Sequence, residues 1–331
     1  MFGSKMTRVG SKKSSASSRR KKAVAIQMDP LDSLNPKTDS TLLLGLEAQR
    51  RGYQLFVYTP DKLTYREGAI TARAHEVTLH ANPAHYYDIK GDVTLTLSDM
   101  QVVLLRQDPP FNMEYISTTY LLEMLMPKTL VANHPGFVRH HPEKLFPTLF
   151  KHYAPPTLIT ADPTEIEAFW RDYSDVVMKP LYGHGGNAVF RLKKGDQNIR
   201  ALMEMVFSVH KEPWVVQPFL PEVAEGERRI ILIDGEFAGI VGRIPPAGEI
   251  RSNLRIGGTP RKAKLTKKQR EVCEALRPAL KEKGLILAGI DMIGDYLIEV
   301  NLTSPTTLVT INKLEGLTLE RDVWDAIEAR L

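Results

Sequence analysis

The sequence predicts an α/β first half joined to an α+β second half with a largely antiparallel sheet, on three observations. Residues 23–59 run strand, helix, strand, the order of a parallel α/β unit. From about residue 143 the chain changes to short apolar runs with reversing turns between them. No apolar run approaches the roughly 18 residues of a membrane span, and 43% hydrophobic with 25% charged residues is ordinary for a globular chain.

At 331 residues the chain has room for two domains. In order, "AVAIQM" (23–28) reads as a buried strand. "DSTLLLGLEAQRRG" (39–52) reads as a capped helix ended by Gly52, and "YQLFVYT" (53–59) as the next strand. "GAITARAHEVTLH" (68–80) is an antiparallel excursion, and "MQVVLLR" (100–106) is another buried strand. A helix at 113–126, its Met and aromatic residues read as core, and a strand at 129–133 complete this sheet. "MDPLDS" stands where a dinucleotide fold would carry its glycines, which argues against that class despite the topology. In the second half, "EKLFPTLFKHY" and "DPTEIEAFWRDY" read as helices. "DVVMKPL", "NAVFRL", "PWVVQPFL", "RRIILIDG" and "EFAGIVGRI" read as strands. A long helix (266–284), a hairpin at 289–301 and a closing helix, "RDVWDAIEARL", finish the chain.

The net charge of +5 is uneven. Residues 1–22 hold eight Lys or Arg and no acid, leaving 36 basic against 39 acidic residues in the remainder. A mildly acidic body argues against nucleic acid as a partner. The tail reads as a disordered, solvated leader, with Met6 an alternative start and a composition that resembles an organellar transit peptide. The lone Cys273, inside the long helix, excludes an internal disulfide and suits a reducing compartment such as the cytoplasm.

Chemistry concentrates in three places. In "GIDMIGDYLIEVNLTSPT" (289–306), Glu299 and Asn301 are two apart on a strand and leave the same face. A hairpin at Gly294-Asp295 would bring Asp291 alongside them. Two carboxylates and an amide oxygen form a hard site suited to Mg²⁺; a solvated hairpin face is the competing reading. In "MKPLYGHGGNAVF", Lys179 ends a strand, and Gly183, Gly185 and Gly186 allow backbone amides to approach an anion. An ordinary glycine-rich turn is the alternative there, and His184 reads as a solvated loop residue. Third, Arg228, Arg229, Arg243, Arg251 and Arg255 surround a Gly/Pro-rich stretch, 245–258, that reads as a lid or else as a polar surface loop. Neither GxSxG, HExxH nor GxxxxGK[ST] is present, which points to positioned phosphate and metal rather than a covalent enzyme intermediate.

The ordered set "QMDP", "LEAQRRGY", "RQDPPFN", "PEKLF", "MKPLYGHGG", "QPFLP", "RSNLRIGG", "KEKGLI" and "GIDMIGDYLIEVNLTSPT" resembles the ATP-grasp ligases, and within them the bacterial glutathione synthetase family, over residues 23–331. The resemblance implies a Rossmann-like preATP-grasp domain at 23–142 and an ATP-grasp domain at 143–331. The latter would include a lid subdomain at about 155–220, with ATP between two antiparallel sheets. It implies nucleotide binding by Lys144, Lys179, Gly183, Gly185, Gly186, Gln217, Phe219, Leu220 and Glu227, the last standing where many relatives carry Asp. Asp291, Glu299 and Asn301 match the ligands of Mg²⁺ (or Mn²⁺). Arg229, Asn301 and Ser304 match substrate positions, and Arg243 and Arg251 match the catalytic closure region. The implied reaction joins γ-glutamylcysteine to glycine through an acyl phosphate, in a homotetramer or dimer. Another ATP-grasp carboxylate–amine ligase, or a degenerate nucleotide-binding module, are the alternatives. "TLVTINKLEG" after "TSPT" departs from the usual small residue and acidic helix.

Overall fold

The computed structural model describes residues 22–331, so the basic segment read at 1–22 lies outside the described residues apart from Lys22. Three sheets organise the chain. In the first, β1 (Ala23–Gln27) is buried along its whole length. α1 (Ser40–Arg50) then returns the chain to β2 (Gln54–Tyr58), which pairs with β1 in parallel. Asp39 starts α1 by accepting a hydrogen bond from the Leu42 amide at 2.7 Å, satisfying one of the amides a helix end leaves open. β3 (Leu63–Arg66), β4 (Ala69–Asn82) and β5 (His85–Thr96) extend one side antiparallel. β6 (Val102–Leu105) and, after α2 (Met113–Glu123), β7 (Leu130–Ala132) extend the other in parallel. α3 (Pro135–His140) follows. Strand order therefore reverses between β1 and β6, and the crevice beyond the strand ends at such a reversal is a natural ligand site.

The expected antiparallel excursion at 68–80 is β4, which pairs antiparallel with β2 and β3, and a further partner, β5, follows it that the sequence reading did not include. Only Leu95 of β5 is fully buried, so this edge strand carries no apolar alternation to read. The expected helix in "EKLFPTLFKHY" is a short 3₁₀ turn, Phe146–Phe150. Pro147 has no amide to donate and its ring crowds the preceding turn, which disfavours a continuous α-helix across this stretch.

The second sheet has the order β10-β9-β11-β8, antiparallel throughout. Its strands are β8 (Leu158–Thr160), β9 (Asp175–Pro180), β10 (Phe190–Lys193) and β11 (Trp214–Pro218). α4 (Pro163–Tyr173) and α5 (Ile199–Val209) cover it, burying Ile166, Met203 and Val206 against Met178 and Val216. The third sheet is formed by β12 (Glu227–Ile233), β13 (Glu236–Ile244), β14 (Thr259–Arg261), β15 (Leu287–Ile293) and β16 (Tyr296–Asn301). α6 (Lys267–Glu282) opens with a reciprocal cap between Thr266 and Gln269 and packs Val272, Leu276 and Leu280 on one face of this sheet. α7 (Leu308–Glu315) and α8 (Leu319–Glu328) end the chain.

The strand period of two divides β12 between two cores. Ile230 and Leu232 join the α6 core, whereas Ile231 and Ile233 join a core made with α7, α8 and the first sheet. Along that second face the next positions are Arg229 and Glu227, so one sheet face is apolar at one end and ionic at the other. The apolar end is fastened by Trp324, wholly buried, whose Nε1 donates to the Leu44 carbonyl at 2.8 Å and whose ring lies 4.8 Å from that of Tyr53. Buried Asn133 adds a polar rivet: it donates to the carbonyls of Leu287 (2.7 Å) and Leu302 (2.9 Å) and accepts from the Leu287 amide (2.9 Å).

Trp324→Ala removes a large buried side chain from the seam between α1 and α8. The expected loss is about 3–5 kcal/mol of stability, read as a lower midpoint in denaturant unfolding. An unchanged midpoint would contradict the seam's role.

Candidate active site

The β15–β16 hairpin turns at Gly294 and sets Asp291 opposite Glu299 and Gly289 opposite Asn301. On the other side of β15, Arg229 of β12 pairs with Asp291, and Glu227 pairs with Arg243 of β13. Asp291, Glu299, Asn301, Arg229, Glu227 and Arg243 line one cavity of about 950 Å³. That volume sits near the upper end for small-molecule sites.

The acids in this cleft are compensated in detail. Asp291, 2% exposed, accepts from Arg229 Nε and from Arg229 Nη2 at 2.6 Å, a two-pronged pair. Arg243 Nη2 lies 2.8 Å from Asp291 and 2.8 Å from Glu227. Gly289 makes the first pairing possible: a Cβ there would stand 3.2 Å from Arg229 Cδ. Asn301 donates its amide nitrogen to Gly289 O at 3.0 Å and to Asp291 at 3.3 Å. Its amide oxygen is thus the atom suited to act as a ligand.

Glu299 faces two lysines from distant segments. Lys179 of β9 lies 3.3 Å from its Oε1, and Lys144, from the stretch after α3, lies 3.7 Å from the same atom. Lys144 also donates to the Gly183 carbonyl, which ties it to the glycine loop. In that loop Gly185 and Gly186 have φ of 67° and 84°, backbone that side chains with a Cβ rarely adopt. The Gly186 carbonyl accepts from Arg251 at 3.2 Å, and Ser252 donates to Glu227. The glycine loop and the 245–258 segment therefore touch through Arg251.

At the opposite wall, buried Gln217 donates to Thr157 Oγ1 at 3.1 Å. The Phe219 amide donates to Asp175 O at 2.9 Å, and Arg191 stands 3.2 Å over the Phe219 ring. Phe219, Leu220 and Gln217 line the same cavity, as do Lys144, Lys179, Ser304 and the three loop glycines.

Burial sets the ionisation of these groups, and their neighbours then decide its sign. Burial drives the Asp291 carboxyl up, but Arg229 and Arg243 outweigh it and hold it below the ordinary range. Glu299 behaves alike: burial opposes ionisation, and Lys144 and Lys179 bring its pKa below normal. For Glu227 burial prevails over Arg243, helped by repulsion from Asp291, and its pKa is raised. Burial also lowers that of Lys179.

Several cleft residues had no assigned role in the sequence reading. Glu143 is half-buried, its pKa raised by desolvation, and it accepts from Thr303 Oγ1 at 2.7 Å. Arg106 is buried at the end of β6, donating to Thr41 Oγ1 at 3.1 Å and to Pro305 O at 3.0 Å, while its own carbonyl accepts from Ser304 at 3.2 Å. Asp29 and Asp108, just past β1 and β6, bring the first sheet's crevice into the cavity. The only signal for them was the quoted "QMDP", "RQDPPFN" and "PEKLF" segments.

Comparison with known proteins agrees over both halves. Family models described as prokaryotic glutathione synthetase match here, the N-terminal domain at residues 23–139 and the ATP-grasp domain at 143–316. A glutathione synthetase of Brucella melitensis biotype 1 is 48% identical over 307 residues, 93% of this chain and 98% of that protein. One from Escherichia coli O6:H1 is 39% identical over 310 residues, again 93% and 98%. Among solved structures, a D-cycloserine synthetase superposes with a TM-score of 0.66 at 16% identity, covering 93% of this chain and 100% of its own. The D-alanyl-alanine synthetase A of Vibrio cholerae gives 0.60 at 14%, covering 94% and 98%. These two show a shared fold.

The depressed pKa of Asp291 has a consequence for acid stability. Its contribution is complete above its unfolded value of 3.8 and is lost as pH falls through the lower folded value. Asp291→Asn is expected to be less stable than the parent at neutral pH, with the difference shrinking as pH drops below about 4. Urea midpoints across that range check this; a difference that stays constant with pH would refute it.

Proposed function

This chain belongs to the prokaryotic glutathione synthetase family, and on that premise we propose which of its residues carry the family's reaction. The chain is an ATP-dependent ligase that forms a carbon–nitrogen bond and makes glutathione. What supports the residue assignment is one convergence: two carboxylates and an amide on a single sheet face, with two buried lysines meeting at Glu299.

The chemical problem is that a carboxylate cannot expel its anionic oxygen. In our reading the C-terminal carboxylate of γ-glutamylcysteine attacks the γ-phosphorus of ATP. An O–P bond forms as the bond to the β-bridging oxygen breaks, giving ADP and an acyl phosphate. The amine of glycine then attacks the acyl carbon. Phosphate departs, a proton leaves the amine, and the peptide bond of glutathione is complete.

Asp291, Glu299 and Asn301 would hold Mg²⁺ or Mn²⁺, whose donors are hard oxygens such as these, and the ion when bound offsets negative charge on phosphate oxygens. Lys144 and Lys179 counter the nucleotide's charge, and Gly183, Gly185 and Gly186 bring backbone amides to the phosphates. Gln217, Phe219 and Leu220 form the wall for the base, and Glu227 completes the nucleotide contacts. Arg229, Asn301 and Ser304 hold the peptide. Arg243 and Arg251 stabilise charge at the reaction centre. Arg243 Nε is buried with no hydrogen-bond partner among the described residues, a donor that an incoming anionic oxygen would satisfy.

Residues 23–142 and 143–331 are the two domains in this proposal. The 155–220 and 245–258 segments close over the cleft, because water would hydrolyse an acyl phosphate. The lone Cys273 supports a reducing setting, the cytoplasm, for the reaction.

The reading is tested by phosphate release with ATP and γ-glutamylcysteine, comparing glycine with other amines. Release that ignores the identity of the amine would overturn the acceptor assignment. Glu299→Gln keeps the shape of the site and removes the charge. It is expected to lower turnover by at least about 100-fold, with γ-glutamylcysteine affinity changed only a few-fold by calorimetry. Turnover near that of the parent would remove Glu299 from the metal set.

A further inference from the structure

A second cluster of ligating side chains lies outside the catalytic cavity, at the tip of the β4–β5 hairpin. His80 Nε2 is 2.7 Å from one oxygen of Asp88, and His85 Nε2 is 2.9 Å from the other. The two imidazoles stack with centroids 5.2 Å apart at 22°. One donor atom from each residue falls within 4.8 Å of the other two.

A register shift puts these groups on one face. His85 and Asp88 are three apart on β5, and in a regular strand they would point to opposite sides. The pairing changes between Leu79 and Asn82, so Asp88 stands across from Thr78 while His85 stands across from Asn82. Thr78, His80 and Asn82 share a side of β4, and the irregularity brings both His85 and Asp88 to it.

We propose that His80, His85 and Asp88 form a surface site for a late first-row divalent ion, with Zn²⁺ as its reference ligand. Two imidazole nitrogens and a carboxylate suit zinc, nickel or copper, whereas Mg²⁺ takes all-oxygen surroundings. Donors bound to zinc at about 2.0–2.1 Å stand roughly 3.3 Å apart in a tetrahedron. His80 and Asp88 stand 2.7 Å apart and no pair in the set exceeds 4.8 Å, so modest side-chain rotation brings the three donors to that spacing. Three protein ligands leave a position for water, an open site rather than a closed structural one. None of the three residues lines the catalytic cavity, so the site is independent of the proposed ligase chemistry. Its occupancy would staple the exposed end of the sheet's edge strand.

The test is equilibrium dialysis of the full-length protein against Zn²⁺ at neutral pH with excess Mg²⁺ to occupy oxygen sites. The parent is expected to retain one equivalent of Zn²⁺ with micromolar affinity. His80→Ala, His85→Ala and Asp88→Asn should each weaken that class of binding by about 10-fold or more. All three should keep the parent's phosphate-release rate in Mg²⁺, which reports that they fold. With Cu²⁺ as probe, the electron paramagnetic spectrum should show two coupled imidazole nitrogens in the parent and one in each histidine variant. No saturable binding by the parent overturns the proposal. So does binding that persists undiminished in the variants, since it would then lie elsewhere.

Discussion

The structure depends most on one constraint: Asp291 is ionised at a position almost closed to water, and the chain must supply its counter-charge. Removing a carboxylate from water costs several kcal/mol unless close partners compensate. The partners come from two other strands, Arg229 of β12 and Arg243 of β13, so the requirement fixes how β13, β12 and β15 lie side by side. It also explains Gly289, since a side chain there would crowd the arginine that reaches Asp291. Arg243 extends the chain of charges to Glu227, which Ser252 then ties to the 245–258 segment.

Such an ionic patch is held because the same sheet face is anchored at its other end. Ile231, Ile233 and Val241 lie in the core that α7 and α8 share with β1, β2 and α1. The first sheet is therefore more than a neighbour of the cleft. Its packing on α8 sets where Asp29, Asp108 and Arg106 arrive, and Arg106 in turn holds the 304–305 backbone at the cavity's edge. Hydrophobic burial, which has no direction, provides the clamp. The charged pairs, which do have direction, provide the geometry.

What sequence made legible was what is local. A hairpin with acids at fixed offsets, a lysine ending a strand before three glycines, and a capped helix ended by Gly52 all declare themselves within about twenty residues. The convergence of Lys144 and Lys179 on Glu299 was expected only through a resemblance, since nothing in the spacing of residues 144, 179 and 299 specifies contact. Glu143 meeting Thr303 and Arg106 meeting Ser304 are contacts across 160 and 198 positions, and no periodicity encodes them. β5 escaped because an edge strand exposed on both sides needs no apolar alternation. At 143–153 the missing amide of Pro147 works against a continuous α-helix, and the chain takes a short 3₁₀ turn there.

The charge pattern also bears on how nucleotide and metal would enter in the proposed reading. The cleft's lysines and arginines are engaged with its own carboxylates, so a nucleotide arriving alone must compete with Glu299 for Lys144 and Lys179. A metal arriving alone meets carboxylates already compensated by cations that would repel it. Entry together removes both penalties. In that reading Glu299 would serve the ion, and the two lysines would answer the charge of the phosphates instead. Buried Lys179, whose charge burial disfavours, would then have an anionic phosphate in place of Glu299. In the proposed reading such an exchange would make the two binding events favour each other, because each would relieve the charge that the other leaves unpaired.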